Sequence, residues 1–422
     1  MSEFVKFTPG EYLDFEKEAV QLRLDIAAGK AEMPKMGGPF GKMEPKPYSQ
    51  EEILAYNKKW DPYNPLFNDP EYAKKAGYKD IPAYPGFCMA MAMGAPGFDK
   101  TMPSGGFYYT NDGTDIYLSR PVVAGDFLKS GESKGAFYEV TEPGSELRQW
   151  YMGGEGTLVD EDGNTVVHSF SNTRDCYKQY TDPNRKKDFS ENMAEWCDYF
   201  PPAHYTSDED WDYIRELWSR EEIRGAEPRY WEDVEVGTFM TETCSGPITY
   251  MDMISLYGNR MPLSREQLCD KEGLKKLFRD PYGNYLFETS IHLGTRNLPN
   301  GRMVFYNDTA ARLLARTVTN WIGDTGYVSR FCWRFFPFFK EMRNHYVPKD
   351  YDLITRVVPG YENRPLNRHG SEGDTVIGKA YIYDKRIDEA GRHVIDICAW
   401  GETLDGDIIQ VCPMQAVLPT KD

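Results

Sequence analysis

The chain has 422 residues, of which 40% are hydrophobic and 14% aromatic, and it carries a formal net charge of −17. This length and composition are typical of a globular protein with two or three domains, and they exclude a disordered chain. The acidic balance argues against nucleic acid or an anionic membrane as a partner, although a local basic patch still permits an anionic ligand.

The sequence also argues against several kinds of site. No stretch approaches the roughly 18 uninterrupted apolar residues of a membrane span, and the first residues do not have the pattern of a secretory signal, so we expect a cytoplasmic protein. The eight cysteines form no C-x-x-C pair and the six histidines are scattered. We therefore predict no metal site, and we expect reduced, buried cysteines. No glycine-rich phosphate loop is present, so no cofactor is expected.

The first elements in the chain are predicted helices. A capping box at Thr8 begins one that ends near Gly29, and a second capping box at Ser49 begins another that runs to about Lys58. The segment 60–67 is too rich in proline for regular structure. Asp69 caps a short helix that Gly77 ends, and the apolar run 87–93 favours a buried helix.

Strands follow from about Tyr108 to Cys176. Residues 120–126 lie between two of them, and Asp160-Glu161-Asp162-Gly163 predicts a hairpin turn. Residues 178–228 are polar and acidic and contain one amphipathic helix, capped by Ser207. We interpret this segment as a linker whose helix packs on a domain.

The second half repeats the first in outline. A predicted helix covers 249–258, an irregular and partly helical insertion covers 259–300, and an apolar helix runs from Thr309 to about Ile322. Strands continue to the C-terminus, with turns at 388–391 and 404–407. One buried helix followed by antiparallel strands, twice, predicts an α+β plan in which each sheet wraps round a central helix.

Two segments resemble the MaoC-like hydratases, a family related to the (R)-specific 2-enoyl-CoA hydratases. Asp61-Pro62-Tyr63-Asn64-Pro65-Leu66-Phe67 is similar to the family pattern Gly-Asp-x-Asn-Pro-(Ile/Leu)-His. Arg120-Pro121 with Gly125-Asp126 is similar to its Arg-Pro-x-x-x-Gly-Asp strand entry, at the expected separation. The resemblance implies a tandem double hotdog fold over most of the chain.

With that fold we predict four parts. These are an N-terminal helix and arm (1–47), a first hotdog domain (48–177), a linker (178–228) and a second, catalytic hotdog domain (229–422). In the family, an Asp and a His hold the water that adds to the double bond, and backbone N–H groups at the central helix polarise the thioester carbonyl.

The chain departs from the family pattern in both halves. Phe67 stands at the His position, and Asp61 lies one residue too far from Asn64. The first half is therefore predicted to be degenerate, with Tyr63 and Asn64 shaping the acyl-binding loop. In the second half, residues 258–264 align with the motif but replace its Asp with Asn259 and its His with Ser264.

His292, which follows the insertion and precedes the central helix, is the nearest usable histidine. The resemblance suggests His292 as the general base, with Glu288 or Asn259 helping to hold the water. The N–H groups of Asn307, Asp308 and Thr309 would polarise the carbonyl. Structural roles are also open. His292 would be a loop histidine, Glu288 a solvated carboxylate and Asn259 a helix C-cap. Asn307 and Asp308 would be helix N-caps.

The predicted function is hydration or dehydration of a 2-enoyl or 3-hydroxyacyl thioester, with CoA as the expected carrier. Arg334, Lys340 and Arg343 would either bind CoA phosphates or neutralise nearby acids. The aromatic segment 327–346 favours a homodimer. Two alternatives stay open: a hotdog lyase or hydratase for a bulky substrate without CoA, and a non-catalytic acyl-binding partner subunit.

Overall fold

The computed structural model describes residues 47–87, 107–139, 147–180, 205–249, 307–334, 352–364 and 370–421, together with isolated residues between these ranges. The predicted helices at 8–29, 87–93 and 249–258 lie largely outside the described residues. So does almost all of the insertion at 259–300, of which only the paired strands β6 (Phe278–Arg279) and β7 (Tyr285–Leu286) are described.

Three helices form the start of the described chain: α1 (Gln50–Trp60), α2 (Pro65–Asn68) and α3 (Pro70–Lys75). Ser49 and Glu52 make the predicted capping box of α1, and Asp69 caps α3. The expectation of irregular structure throughout 60–67 was wrong, because α2 forms within it. Pro65 occupies the first helical position and Asn64 caps the helix, and both features favour a helix start.

The remaining strands form one antiparallel sheet of nine, in the order β2-β3-β4-β1-β8-β11-β10-β9-β5. Their bounds are β1 Phe107–Leu118, β2 Lys129–Glu139, β3 Leu147–Val159, β4 Thr165–Tyr180, β5 Thr243–Ser245, β8 Tyr327–Arg334, β9 Val376–Ile387, β10 His393–Glu402 and β11 Ile408–Val417. Four strands come from the first half and five from the second, and the halves meet where β1 pairs with β8.

Helix α5 (Asn307–Ile322) packs on one face of the second-half strands and begins two residues before the predicted start. Its core-facing residues are 2% exposed or less: Ala310, Ala311, Leu314, Ala315, Val318 and Ile322. Gly378 on β9 lets the helix approach closely, since a Cβ there would lie 2.6 Å from the Thr317 hydroxyl. This helix and sheet hide each other's apolar surface, as the α+β prediction requires.

The linker helix α4 (Asp208–Arg220) packs on the opposite face of the second-half sheet. Ile214 and Leu217 are fully buried against Cys244 and Ile377. Ser207 caps α4 as predicted. A 3-10 turn (Trp231–Asp233) and the short helix α6 (Leu353–Val357) complete the described elements. No described helix is both long enough and apolar enough to cross a membrane.

A buried ion-pair network joins the two halves at the β1–β8 seam. Asp115 accepts hydrogen bonds from Arg330 at 2.6 Å and from Arg334 at 2.9 and 3.0 Å. Arg334 is 2% exposed and also pairs with Asp350. Of the two roles that the sequence left open for Arg334, the structure supports neutralisation of acids. Lys340 and Arg343 lie outside the described residues.

The cysteines that the structure describes in detail agree with the prediction: Cys244, Cys332, Cys398 and Cys412 are free and buried. Burial raises the pKa of the Cys244 thiol to about 12, so this thiol stays protonated and unreactive at neutral pH.

Gly113 is required by the close approach of β1 and β8. It has φ of 124° at a β-bulge, and a Cβ there would lie 2.0 Å from the carbonyl oxygen of Trp333. We expect Gly113→Ala to lower the free energy of unfolding by about 2–3 kcal/mol, since the backbone must shift as well as adopt a strained φ. Gly163→Ala is the matched control, because Gly163 has φ of 85° with nothing within 4 Å of its added Cβ. Equal losses in the two variants by urea unfolding would show that the contact with Trp333 is unimportant.

Candidate functional site

The motif loop between α1 and α2 is held by its own polar side chains. Asn64 accepts a hydrogen bond from the Leu66 N–H at 3.0 Å. Asn68 donates its amide to the carbonyl oxygens of Asp61 at 2.7 Å and Asn64 at 2.9 Å. Asp61 Oδ1 accepts long hydrogen bonds of 3.3 Å from the N–H groups of Tyr63 and Asn64. The loop is therefore fixed although it carries two prolines.

A second set of contacts anchors this loop to the segment 82–84. The Asn57 amide is buried and donates to the carbonyl oxygens of Phe67 at 2.7 Å and Pro82 at 2.9 Å, while its Oδ1 accepts the Tyr84 N–H at 2.8 Å. The Phe67 ring meets the Tyr84 ring edge-on, with centroids 5.3 Å apart. At the position where the family has a histidine, this chain thus has a packed aromatic pair.

The loop contacts the central helix of the other half. The Tyr84 hydroxyl donates to the carbonyl oxygen of Arg312 on α5 at 2.6 Å. The guanidinium carbon of Arg312 lies 4.8 Å from the centre of the Trp60 ring. One turn further along α5, Arg316 faces the same loop, with its guanidinium carbon 6.0 Å from the centre of the Tyr63 ring. Residues from both halves therefore build this region.

Asp61 is fully buried in this region, and its Oδ2 has no hydrogen-bond partner among the described residues. Loss of solvation raises the pKa of the Asp61 carboxyl above its ordinary value, while the positive charge of Arg316 and the two N–H groups of the loop oppose the rise. A carboxyl group with a raised pKa and a free oxygen can exchange a proton with a bound molecule.

Arg316 binds Glu221, the residue that follows the linker helix α4. Its Nη2 donates to Glu221 Oε1 at 2.9 Å and to the carbonyl oxygen of Cys244 at 2.7 Å. Its buried Nε has no partner in the described part of the chain. Burial also raises the pKa of Glu221, again opposed by Arg316. Among the described residues, Asp61 thus has an acceptor and Arg316 a donor without a partner, and the two come from opposite halves of the chain.

The predicted site residues fall into three groups. Tyr63 is 69% exposed and Asn64 is buried as the cap of α2, so only Asn64 shapes the buried part of the loop. Asn307 and Asp308 begin α5, and Thr309 is buried in its first turn. His292, Glu288 and Asn259 lie outside the described residues.

The structure does not bring Tyr63 and Asn64 together with the start of α5 at Asn307 to Thr309. Seven residues separate Thr309 from Arg316, which corresponds to roughly 10 Å along a helix axis. The reacting carbon of the substrate lies only about two bonds from the thioester carbonyl carbon. One bound thioester therefore cannot contact the start of α5 with its carbonyl group and the Asp61 region with its reacting carbon. Chemistry at the start of α5 and chemistry at Asp61 are therefore alternatives.

The sequence interpretation missed Arg316 and Glu221. The available signal was a pair of arginines, Arg312 and Arg316, one turn apart in an otherwise apolar helix, since buried arginines need specific partners. Glu221 gave no comparable signal, because it follows a run of solvated acidic residues.

Comparison with known proteins gives a family match for the first half of the chain. Residues 35–169 match a family described as "FAS1-like, dehydratase domain region", and this range includes the motif loop, β1 to β3 and the start of β4. No curated protein matches the sequence.

Solved structures match over nearly the whole chain. A MaoC-like dehydratase is 16% identical with a TM-score of 0.50, over 90% of this chain and 97% of that one. RV0216 of Mycobacterium tuberculosis, described as having a double hotdog fold, is 13% identical with a TM-score of 0.45, over 88% and 92%. A MaoC-like dehydratase from Phytophthora capsici is 10% identical with a TM-score of 0.39, over 89% and 94%.

The predicted fold class, an α+β tandem double hotdog, is confirmed by the sheet and by the first of these structures. The predicted domain boundaries stay a prediction, because the sheet runs without a break across the seam. The chain thus has an α+β double hotdog fold, and its residues 35–169 match a FAS1-like dehydratase region.

Proposed function

We propose that this protein is a hydratase or dehydratase acting on a 2-enoyl or 3-hydroxyacyl thioester, with CoA as the carrier. The observation that carries the proposal is the buried Asp61 carboxyl, whose Oδ2 has no partner among the described residues and whose pKa is influenced by the charge of Arg316. The match of this segment to a dehydratase region supports the same chemistry. The proposal includes a cytoplasmic homodimer.

In the hydration direction, the Asp61 carboxylate accepts a proton from water while the water oxygen forms a bond to C3 of the enoyl group. The double-bond electrons move toward the thioester carbonyl, whose developing negative charge accepts a hydrogen bond from Arg316 Nε–H. The proton held by Asp61 then passes to C2, which completes the addition of one water. Dehydration follows the same steps in reverse.

The role of Arg316 can be tested through the pH dependence of kcat/KM. Hydration needs an ionised Asp61, so kcat/KM falls as the pH drops through the pKa of that carboxyl. Because the charge of Arg316 holds this pKa down against the effect of burial, we expect Arg316→Gln to move the acidic limb to higher pH. Arg316→Lys is the control, since it keeps the charge and should leave the limb near its original position. If neither variant moves the limb, Arg316 does not influence the group that titrates.

His292 offers the alternative location, at the start of α5, with Glu288 and Asn259 holding the water and Asn307 to Thr309 polarising the carbonyl. If that location is the active one, His292→Ala should lower kcat by about a hundredfold, the lower range for losing a general base. His393→Ala is the control, because the His393 ring lies at the start of β10 and packs on Trp231. We expect His292→Ala to keep more than half of the wild-type kcat, with Asp61 as the acid and base; a hundredfold loss would move the reaction to α5.

The experiment that tests the proposed function is an assay of the purified chain with enoyl-CoA thioesters of increasing acyl length and with one bulky enoyl ester lacking CoA. Turnover of the CoA thioesters supports the proposal. Turnover of only the bulky ester favours the alternative lyase or hydratase. Tight binding of acyl-CoA without any turnover favours a non-catalytic acyl-binding subunit.

A further inference from the structure

A cavity of about 430 Å³ lies on the face of the sheet opposite α5. Gly378 faces α5, since a Cβ there would meet Thr317 and Leu314, so the next residue, Lys379, points to the opposite face. The end of α4 and the loop after α6 border this space, which we call the outer cavity. Its volume is within the range of about 300–1,000 Å³ that is typical of small-molecule sites.

Three aromatic side chains line the outer cavity. Trp400 is fully buried. The ring of Tyr361 meets it edge-on with centroids 5.1 Å apart, and the ring of Phe239 does so at 6.5 Å. Phe239 also packs on the ring of Tyr381. It is nevertheless 53% exposed, which is unusual for a large apolar ring that packs on two other rings. The rings of Phe239 and Tyr361, which pack on Trp400, offer apolar faces and edges to a planar ligand.

In the described part of the chain, the charged groups that line the cavity are two cations, Arg220 and Lys379, and one anion, Glu242. The Lys379 ammonium lies 2.7 Å from Glu402 and 3.4 Å from Glu242, which occupy two of its three N–H donors. The Arg220 side chain is 52% exposed, and its carboxylate neighbours, Glu216 and Glu242, are both 3.8 Å away. Donors on both cations remain available to an anionic group.

We propose that the outer cavity binds a small aromatic carboxylate, with its ring against Phe239 and Tyr361 and its carboxylate at Lys379 and Arg220. A cationic ligand fits less well, because Glu242 already faces both cations. The volume excludes a folded partner, and the spare N–H donors of Lys379 and Arg220 can bind a single carboxylate. This site is independent of the proposed hydratase chemistry at Asp61.

Isothermal titration calorimetry on the full chain tests the proposal, with indole-3-acetate as the probe. We expect one site per chain with a Kd below about 1 mM. Indole-3-acetamide, which lacks the charge, and acetate, which lacks the ring, should each bind at least about tenfold more weakly because each loses one of the two contacts. Equal binding of the acetamide would overturn the proposal, as would a failure of indole-3-acetate to bind.

Two pairs of exposed positions provide matched variants that should not disturb folding. Phe239→Ser should raise the Kd at least about fivefold, whereas Val236→Ser, 52% exposed on the same segment, should not change it. Arg220→Gln should raise the Kd about threefold, whereas Arg215→Gln on the same helix should not. The Asp61→Asn variant should bind the probe normally. A Kd that changes with Asp61 but not with Phe239 would assign the probe to the other site and overturn the proposal.

Discussion

Replacing Asp115 with alanine should lower the free energy of unfolding by about 3–5 kcal/mol, because it leaves the buried Arg334 and the partly buried Arg330 without their shared carboxylate. Asp115 is 1% exposed and Arg334 is 2% exposed, so water cannot replace the lost partner. Asp350 still pairs with Arg334 but lies 3.9 Å from Arg330. The loss should affect the whole molecule, since the network lies on the seam between the halves.

Urea unfolding of Asp115→Ala and of a surface control measures this effect. Asp212→Ala removes an exposed pair with Arg215 one helical turn away, for which we expect a change of no more than about 0.5 kcal/mol. Similar losses in the two variants would show that the seam network contributes no more than a surface ion pair.

The same network predicts how stability depends on pH. Burial alone would raise the pKa of Asp115, but the charges and hydrogen bonds of Arg334 and Arg330 outweigh it and lower the pKa to about 2, from an ordinary value of 3.8. A carboxyl whose pKa is lowered on folding stabilises the fold above its unfolded pKa. Its contribution should therefore be complete above about pH 4 and be lost as the pH falls toward 2, and Asp115→Ala should lack this part of the acid dependence.

Asp61→Asn should lower kcat for enoyl-CoA hydration by about 10²- to 10⁴-fold, the range for removal of a general acid or base. The amide has nearly the same shape as the carboxyl group, so the hydrogen bonds to the Tyr63 and Asn64 N–H groups can persist. The amide cannot accept and return a proton at neutral pH, which is why we expect the loss in kcat.

Asp69→Asn is the control for this variant. Asp69 caps α3 eight residues further on, and Asn caps helices about as well as Asp, so neither activity nor stability should change. Melting curves of both variants establish whether they fold. A folded Asp61→Asn protein with wild-type kcat would remove Asp61 from the mechanism.

Features that depend on a few neighbouring residues were predictable from the sequence. The capping box at Ser49, the caps at Ser207 and Asp69 and the turn at Asp160-Gly163 all formed as expected, because each depends on hydrogen bonds between residues two to four positions apart. The exception within this group was α2, where two prolines obscured a good helix start at Asn64-Pro65.

Features that depend on contacts between the halves were not predictable. The Tyr84 hydroxyl donates to Arg312, 228 positions away, and Arg334 pairs with Asp115, 219 positions away. No local pattern encodes such partners, so Arg334 kept two possible roles and Arg316 was overlooked. The motif loop was recognised from its sequence, but the burial of Asp61 against α5 emerges only when the chain is folded.

The central claim, that this double hotdog protein adds water to an enoyl thioester, can be tested by one measurement. The purified chain is incubated with crotonyl-CoA in D2O, and the products are analysed by mass spectrometry. We predict 3-hydroxybutyryl-CoA with one deuterium on C2, formed by the wild type and not by Asp61→Asn. If the wild type leaves crotonyl-CoA and its longer homologues unchanged, the account of the function is wrong.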